Sequence, residues 1–178
     1  MQKQEGFSLV ELLVVMGVIA VLSAIAIPGL LRARQSGNET SAIGSLRAIT
    51  AGEAAYASTC AAGGYAQNNA DLGKAPAGGA AFITPDLEKA DLAASSKSGY
   101  TIDVDDSADA ANRDVTLAAM TCNGSAANAR LNYFVAADPL TRGETGSRSF
   151  ASDRRGTIYS ETAASIPNPI PAGTDFIQ

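Results

Sequence analysis

Residues 6–31 read GFSLVELLVVMGVIAVLSAIAIPGLL, and the rest of the chain takes its meaning from them. From Leu12 to Leu31 there are 20 residues without a charge. At about 1.5 Å of rise per residue, a helix of that length spans the roughly 30 Å hydrocarbon core of a bilayer. A core helix of a soluble protein is one competitor, but uncharged runs this long normally mark membrane helices. A cleaved secretory signal is the other. It would have a basic start, a shorter apolar stretch and a small-residue cleavage site. Lys3 is the one basic residue before the run, and Ala24-Ile25-Ala26 is followed at once by Pro28 and more apolar residues. Glu11 is the oddity. A carboxylate so close to the apolar run costs several kcal/mol if it enters lipid unpaired. A free α-amine, created by proteolysis and brought close by assembly, would pair with it.

Outside this segment the 178-residue chain changes character. Ala, Gly, Ser, Asp and Asn dominate, and long aliphatic residues are scattered singly. The whole sequence is 46% hydrophobic, with 13 Lys+Arg against 18 Asp+Glu and a formal net charge of −5. That balance argues against nucleic acid as a partner, which calls for a basic face. There is no His, the commonest general base and metal ligand, and two Cys cannot build a four-thiolate metal site. No phosphate-binding, dinucleotide-binding or nucleophile-elbow glycine motif occurs, and no Ser-x-x-Lys pair substitutes for the missing His. The chain therefore reads as a non-enzyme without metal or cofactor.

Gly6-Phe7-Ser8-Leu9-Val10-Glu11-Leu12-Leu13 resembles the processing and methylation motif of type IV prepilins, shared with the pseudopilins of type II secretion. The resemblance implies that a membrane-embedded prepilin peptidase cuts after Gly6 and N-methylates Phe7. It implies a leader of residues 1–6, although Lys3 and Glu5 make that leader less basic than is usual in the family. Glu11 would neutralise the α-amine of Phe7 on an adjacent subunit, and Pro28 falls where many family members carry a helix-kinking proline. The implied function is a structural subunit, held in the bacterial inner membrane before assembly and in an extracellular pilus afterwards. Its partners would be copies of itself, the peptidase and the assembly machinery, in filaments of the kind used for adhesion and motility. A pseudopilin or minor pilin is the alternative within the same class. Arg32 and Arg34 follow the apolar run and, counted alone, favour the opposite topology. The motif and the cysteines outvote them.

Beyond the motif, the fold expected is α+β, with a long N-terminal helix packed on a small antiparallel sheet. The helix is expected from about Phe7 to about Ala61. Residues 7–31 form its membrane half and 32–62 its amphipathic half, with a head over 63–178. Pro28 and Gly29 predict a kink or a locally melted turn. Ile43, Leu46, Ile49, Ala57 and Cys60 fall within about a 120° face, although Glu53 intrudes on it. Arg32, Arg34, Glu39 and Arg47 read as solvated, or as paired with neighbouring subunits. Gly63-Gly64 stops the helix, Pro76–Gly79 is a loop, and a turn of helix is plausible around Pro85 to Leu92.

Strands are predicted at Gly99–Val104, Leu131–Ala137, Ser147–Ala151 and Thr157–Ser160, three or four of them forming the sheet. Arg155-Gly156 supplies a tight turn. Ile166–Pro171 is expected to be extended. With the head outside the cytoplasm, Cys60 and Cys122 are expected to form a disulfide, two separate buried thiols being the alternative. Asp103, Asp105, Asp106, Asp109 and nearby Asp114 read as a solvated acidic loop. A calcium site is the sharper reading, but the run lacks the glycine and terminal glutamate of an EF-hand. Asn38-Glu39-Thr40 and Asn123-Gly124-Ser125 are formal glycosylation sequons. Arg142, Arg148, Arg154 and Arg155 offer a local basic patch, on which a membrane-tethered binding module is a reading of a different class.

Overall fold

The computed structural model describes residues 6–91 and 96–177. One long helix, α1, runs Leu9–Thr59, and the chain divides into two compact units after Arg34. In the first unit the large apolar side chains from Leu9 to Leu31 are exposed, and an 18-residue window has mean hydropathy 2.7. This is a helix long and apolar enough to cross a membrane. The helix continues without a break through Pro28, so the locally melted turn expected there is not present. Proline removes one N–H from the ladder, and the flanking turns carry the helix across that gap.

The second unit is built around the rest of α1. Ala42, Leu46, Ile49, Tyr56, Ala57 and Cys60 are buried, and Ile43 packs partly against the same cluster. Gly52 belongs to this face because a Cβ there would meet the Phe82 carbonyl oxygen at 2.7 Å and the Ile83 Cγ2 at 2.9 Å. The helix ends where Ala62 and Gly63 take positive φ values of 47° and 94°, and the Gly63 N–H donates to the Ala57 carbonyl at 2.8 Å.

Two short helices follow, α2 (Asn69–Gly73) and α3 (Pro85–Glu88). The first was not anticipated. Its N-cap is Asn68, whose side chain accepts from the Asp71 N–H at 2.8 Å. The second is shorter than expected, and Leu92 lies outside the described residues.

The main sheet has five antiparallel strands in the order β1-β4-β5-β6-β7. They are β1 Tyr100–Asp106, β4 Tyr133–Pro139, β5 Ser149–Asp153, β6 Ile158–Glu161 and β7 Phe176–Ile177. A two-stranded ribbon pairs β2 (Asp114–Thr116) with β3 (Ala129–Arg130). Four strands match the sequence reading to within two residues at each end. The ribbon and β7 were not anticipated, being too short for any alternation to show.

Register places Ile102 opposite Ala137 and Val104 opposite Val135, all facing the helix. Ala137 in turn pairs with Phe150 on β5. The other face carries Phe134, Ala151 and Ile166 as a second cluster, joined by Ala136, Tyr159 and Ile170. The extended tail therefore lies over the outer face of the sheet, which is why every residue of β5 is buried.

The open edge of β1 is closed by one side chain and one carbonyl. Asn69, fully buried, accepts from the Val104 N–H at 2.8 Å and donates to the Ile102 carbonyl at 2.8 Å and the Leu87 carbonyl at 2.9 Å. The Ile102 N–H donates to the Ala90 carbonyl at 2.7 Å. Together these contacts take the place of a strand and blunt an edge that would otherwise invite pairing.

Candidate functional site

The helix begins with a capping box. Ser8 is its N-cap, and its Oγ accepts from the Val10 N–H at 3.3 Å. Glu11, three residues on, reaches back so that its Oε2 accepts from the Ser8 N–H at 3.0 Å. Two of the four backbone donors that an α-helix leaves open at its start are thereby satisfied. The signal was present in the sequence as Ser-x-x-Glu before an apolar run. Glu11 therefore has a role within the single chain, a point the charge argument alone did not reach. Just before the box, Phe7 is 89% exposed, and among the described residues no atom beyond the chain neighbours lies within 4 Å of where a Gly6 side chain would begin. Gly6, Phe7, Ser8 and Glu11 thus present an open peptide bond next to a carboxylate at the head of an apolar helix.

The N-terminal residues 1–27 match the family model described as the prokaryotic N-terminal methylation motif. Over this segment the chain is similar to type IV pilins. A curated relative, the type IV wide pilus major component PilA4 of Thermus thermophilus, is 50% identical over 40 residues. That match takes in 22% of this chain and 30% of the relative, so the chain spans about a third of the relative's length. No solved structure matches. The long apolar helix joined to an antiparallel sheet is the α+β architecture of type IV pilins, so the pilin-like reading rests on motif and fold together.

In the head of the pilin-like chain, Cys60 at the end of α1 is joined to Cys122, with Cα atoms 4.7 Å apart. The Cys122 N–H also donates to the Cys60 carbonyl at 3.1 Å. The staple fixes the helix end to the loop between β2 and β3.

Glu39 requires a correction. It is only 7% exposed and is neither solvated nor left for a neighbour. Its Oε1 accepts from the Ser147 N–H at 2.9 Å and hydroxyl at 2.6 Å, and its Oε2 from the Arg148 guanidinium at 2.8 and 3.0 Å. Burial alone would raise its pKa, but the Ser147 hydroxyl and amide and the Arg148 guanidinium outweigh it and hold it below the usual range. The signal missed was distance along the chain, since the partners lie 108 and 109 residues away.

Glu53 is 0% exposed. Its Oε2 accepts from the Ala66 N–H at 2.9 Å, while Oε1 has no partner among the described residues. Burial foremost, with Asp71 nearby, pushes this carboxyl well above its ordinary range. Burial thus biases the intruder on the apolar face toward its neutral form, which reconciles it with the core around it.

The remaining candidates dissolve into local pairs. Arg130 bridges Asp106 and Asp114, and Asn112 also donates to Asp106. No group of three metal-ligating side chains occurs among the described residues. Asp103 is pushed up to about 6 by burial and by Asp105 and Asp91. The basic patch likewise fails to gather. Arg148 serves Glu39, Arg155 serves Asp153, and Arg142 donates to the Ser147 and Thr162 carbonyls and the Ser149 hydroxyl. The sequon asparagine Asn123 is buried, its Nδ2 donating to the Asp71 and Lys74 carbonyls. Asn38 donates to the Thr145 carbonyl at 2.8 Å. Both amide nitrogens are thus engaged in hydrogen bonds within the folded head.

Proposed function

We propose that the chain is the structural subunit of a type IV pilus, processed after Gly6, N-methylated at Phe7 and polymerised through its N-terminal helix. The observation that carries this reading is the juxtaposition of an open Gly6-Phe7 bond, Glu11 and an exposed apolar run that nothing among the described residues covers. Residues 1–6 are the leader, 7–31 the membrane and filament half of the helix, 32–62 its amphipathic half, and 63–178 the head. Before assembly the helix anchors the subunit in the inner membrane with the head outside the cytoplasm. Afterwards the same apolar surface is buried against other copies. Likeness to a named pilus component favours an extracellular filament over a secretion pseudopilus.

Before cleavage the Glu11 carboxylate satisfies the Ser8 amide. Cleavage creates a cationic amine at Phe7, and the second lone-pair set of Glu11 takes that amine from an adjacent subunit. A carboxylate and an ammonium that must leave water together cost less than either one alone. Pairing therefore favours insertion into the growing filament and fixes the axial offset between subunits. Pro28 contributes an unsatisfied carbonyl one turn earlier, so the helix can open there when packing demands it. The subunit carries out no chemistry of its own.

Gly6→Glu tests the processing step, since the peptidase site has to admit residue 6. The variant should accumulate with the leader attached and cells should show no surface filaments by electron microscopy. Filaments built from a variant subunit starting at Phe7 would refute the assignment.

A further inference from the structure

On the outer face of the sheet, beside the strap formed by the tail, lies a cleft of about 400 Å³. That is the size range of small-ligand sites. Its walls carry two ionic side chains with no opposite charge to meet. The Arg154 guanidinium makes no hydrogen bond or ion pair among the described residues. Asp109 accepts from the Ala111 N–H through Oδ1 at 2.9 Å and has no ion pair there either. A second pair, Arg155 and Asp153, is mutually neutralised at 2.7 Å. The cleft is thus balanced in charge.

Its floor holds an oriented donor. Asn132 is 7% exposed, and its Oδ1 is fixed by the Tyr133 N–H at 3.0 Å and the Arg154 N–H at 3.4 Å. That arrangement settles which end of the amide is oxygen. The Nδ2 has no partner among the described residues, although the side chain lines the cleft. Ser107 adds a hydroxyl, and Pro169 and Ile170 add an aliphatic wall.

We propose that this cleft binds the pyranose ring of an uncharged saccharide. Such a ring presents adjacent hydroxyls that each donate and accept, over a face of C–H groups. The cleft supplies the complement, with a pure acceptor in Asp109, pure donors in Arg154 and the Asn132 Nδ2, one hydroxyl that does both, and an apolar wall. A simple anion or cation would satisfy one of the two unpaired charges and oppose the other. The inference stands independently of pilus assembly, since every residue it uses lies in the head.

Saturation-transfer NMR on the full chain, in a detergent without a sugar headgroup, tests it. The probes are D-glucose, D-galactose and N-acetyl-D-glucosamine, with glycine and acetate as the zwitterionic and anionic comparisons. At least one pyranose should receive saturation on its ring protons. Asp109→Asn keeps the Oδ1 that holds Ala111 but replaces the free acceptor with a donor. Arg154→Gln changes an exposed side chain. Each should weaken binding at least tenfold, about 1.4 kcal/mol, while Arg113→Gln leaves it unchanged. Transfer to none of the three sugars, transfer that survives both cleft variants, or a stronger response from glycine or acetate overturns the proposal.

Discussion

Glu11 and Glu53 are both carboxylates in apolar company, and they meet the cost of that company in opposite ways. Glu11 sits in the first turn, where the helix dipole favours negative charge and the Ser8 amide is within reach. The capping role and the proposed pairing with the Phe7 amine can be separated by substitution. Glu11→Gln keeps an acceptor for Ser8 and removes the charge, whereas Glu11→Ala removes both. Both variants should insert into the membrane and both should lose filaments, seen as subunits in the membrane fraction with none sheared from the surface. Normal filaments from Glu11→Gln would show that the cap, not the charge, is what assembly needs.

Burial instead biases Glu53 toward its neutral form. Its folded-state pKa is raised, so the stability it contributes is fully present below the unfolded value and is lost as pH rises through the folded one. Asp103, raised from 3.8 to about 6, adds a loss of the same sign as pH rises through about 6. Unfolding midpoints in urea should therefore fall as pH climbs above the ordinary carboxylate range, with both groups contributing. Glu53→Gln retains an acceptor for the Ala66 N–H and should make that fall shallower. A variant profile that parallels the parent would contradict a raised Glu53 pKa.

At the scale of elements, what was legible depended on whether the signal was local. The long helix and four strands of the sheet announced themselves through an uninterrupted apolar run and β-branched and aromatic alternation. Strands β2, β3 and β7 have three, two and two residues, so pairing with a neighbour and not their own pattern makes them strands. The Asn69 clasp on β1 and the Glu39 seat for Arg148 were hidden for the same reason, each being a single polar residue satisfied by distant partners. Glu39 was misread as solvent-facing because its helical neighbours Gln35, Ser36, Asn38 and Thr40 are polar and its true partner lies across the head. At the candidate site the position was reversed. Gly6, Phe7 and Glu11 were readable at once because the motif is contiguous, and the capping box was readable too as Ser8-x-x-Glu11.

The disulfide joins two elements that share no strand or helix. It closes a 62-residue separation, and constraining a loop of that size in the unfolded chain stabilises the folded one by about 2–4 kcal/mol. Replacing Cys60 and Cys122 together by Ser should lower the unfolding free energy of the chain by that amount, read by urea denaturation in detergent. An unchanged midpoint would mean that the Cys122 N–H bond to the Cys60 carbonyl and the surrounding packing already hold the helix end.

For the whole molecule, the two units have opposite relations to solvent. The first exposes nearly all its large apolar side chains, and the second buries its own in two clusters on either face of a five-stranded sheet. Such a chain calls for a lipid bilayer or other copies of itself around the helix, and a pilus subunit occupies each environment in turn. A membrane-tethered module would use only the first, and its basic patch is in any case consumed by internal pairs apart from Arg154. The most direct test is the intact mass and N-terminal sequence of the subunit in filaments sheared from cells that produce this chain. The account predicts a subunit that begins at N-methylated Phe7 and lacks residues 1–6. A filament subunit that retains Met1 to Gly6, or that begins at any other residue, would contradict it.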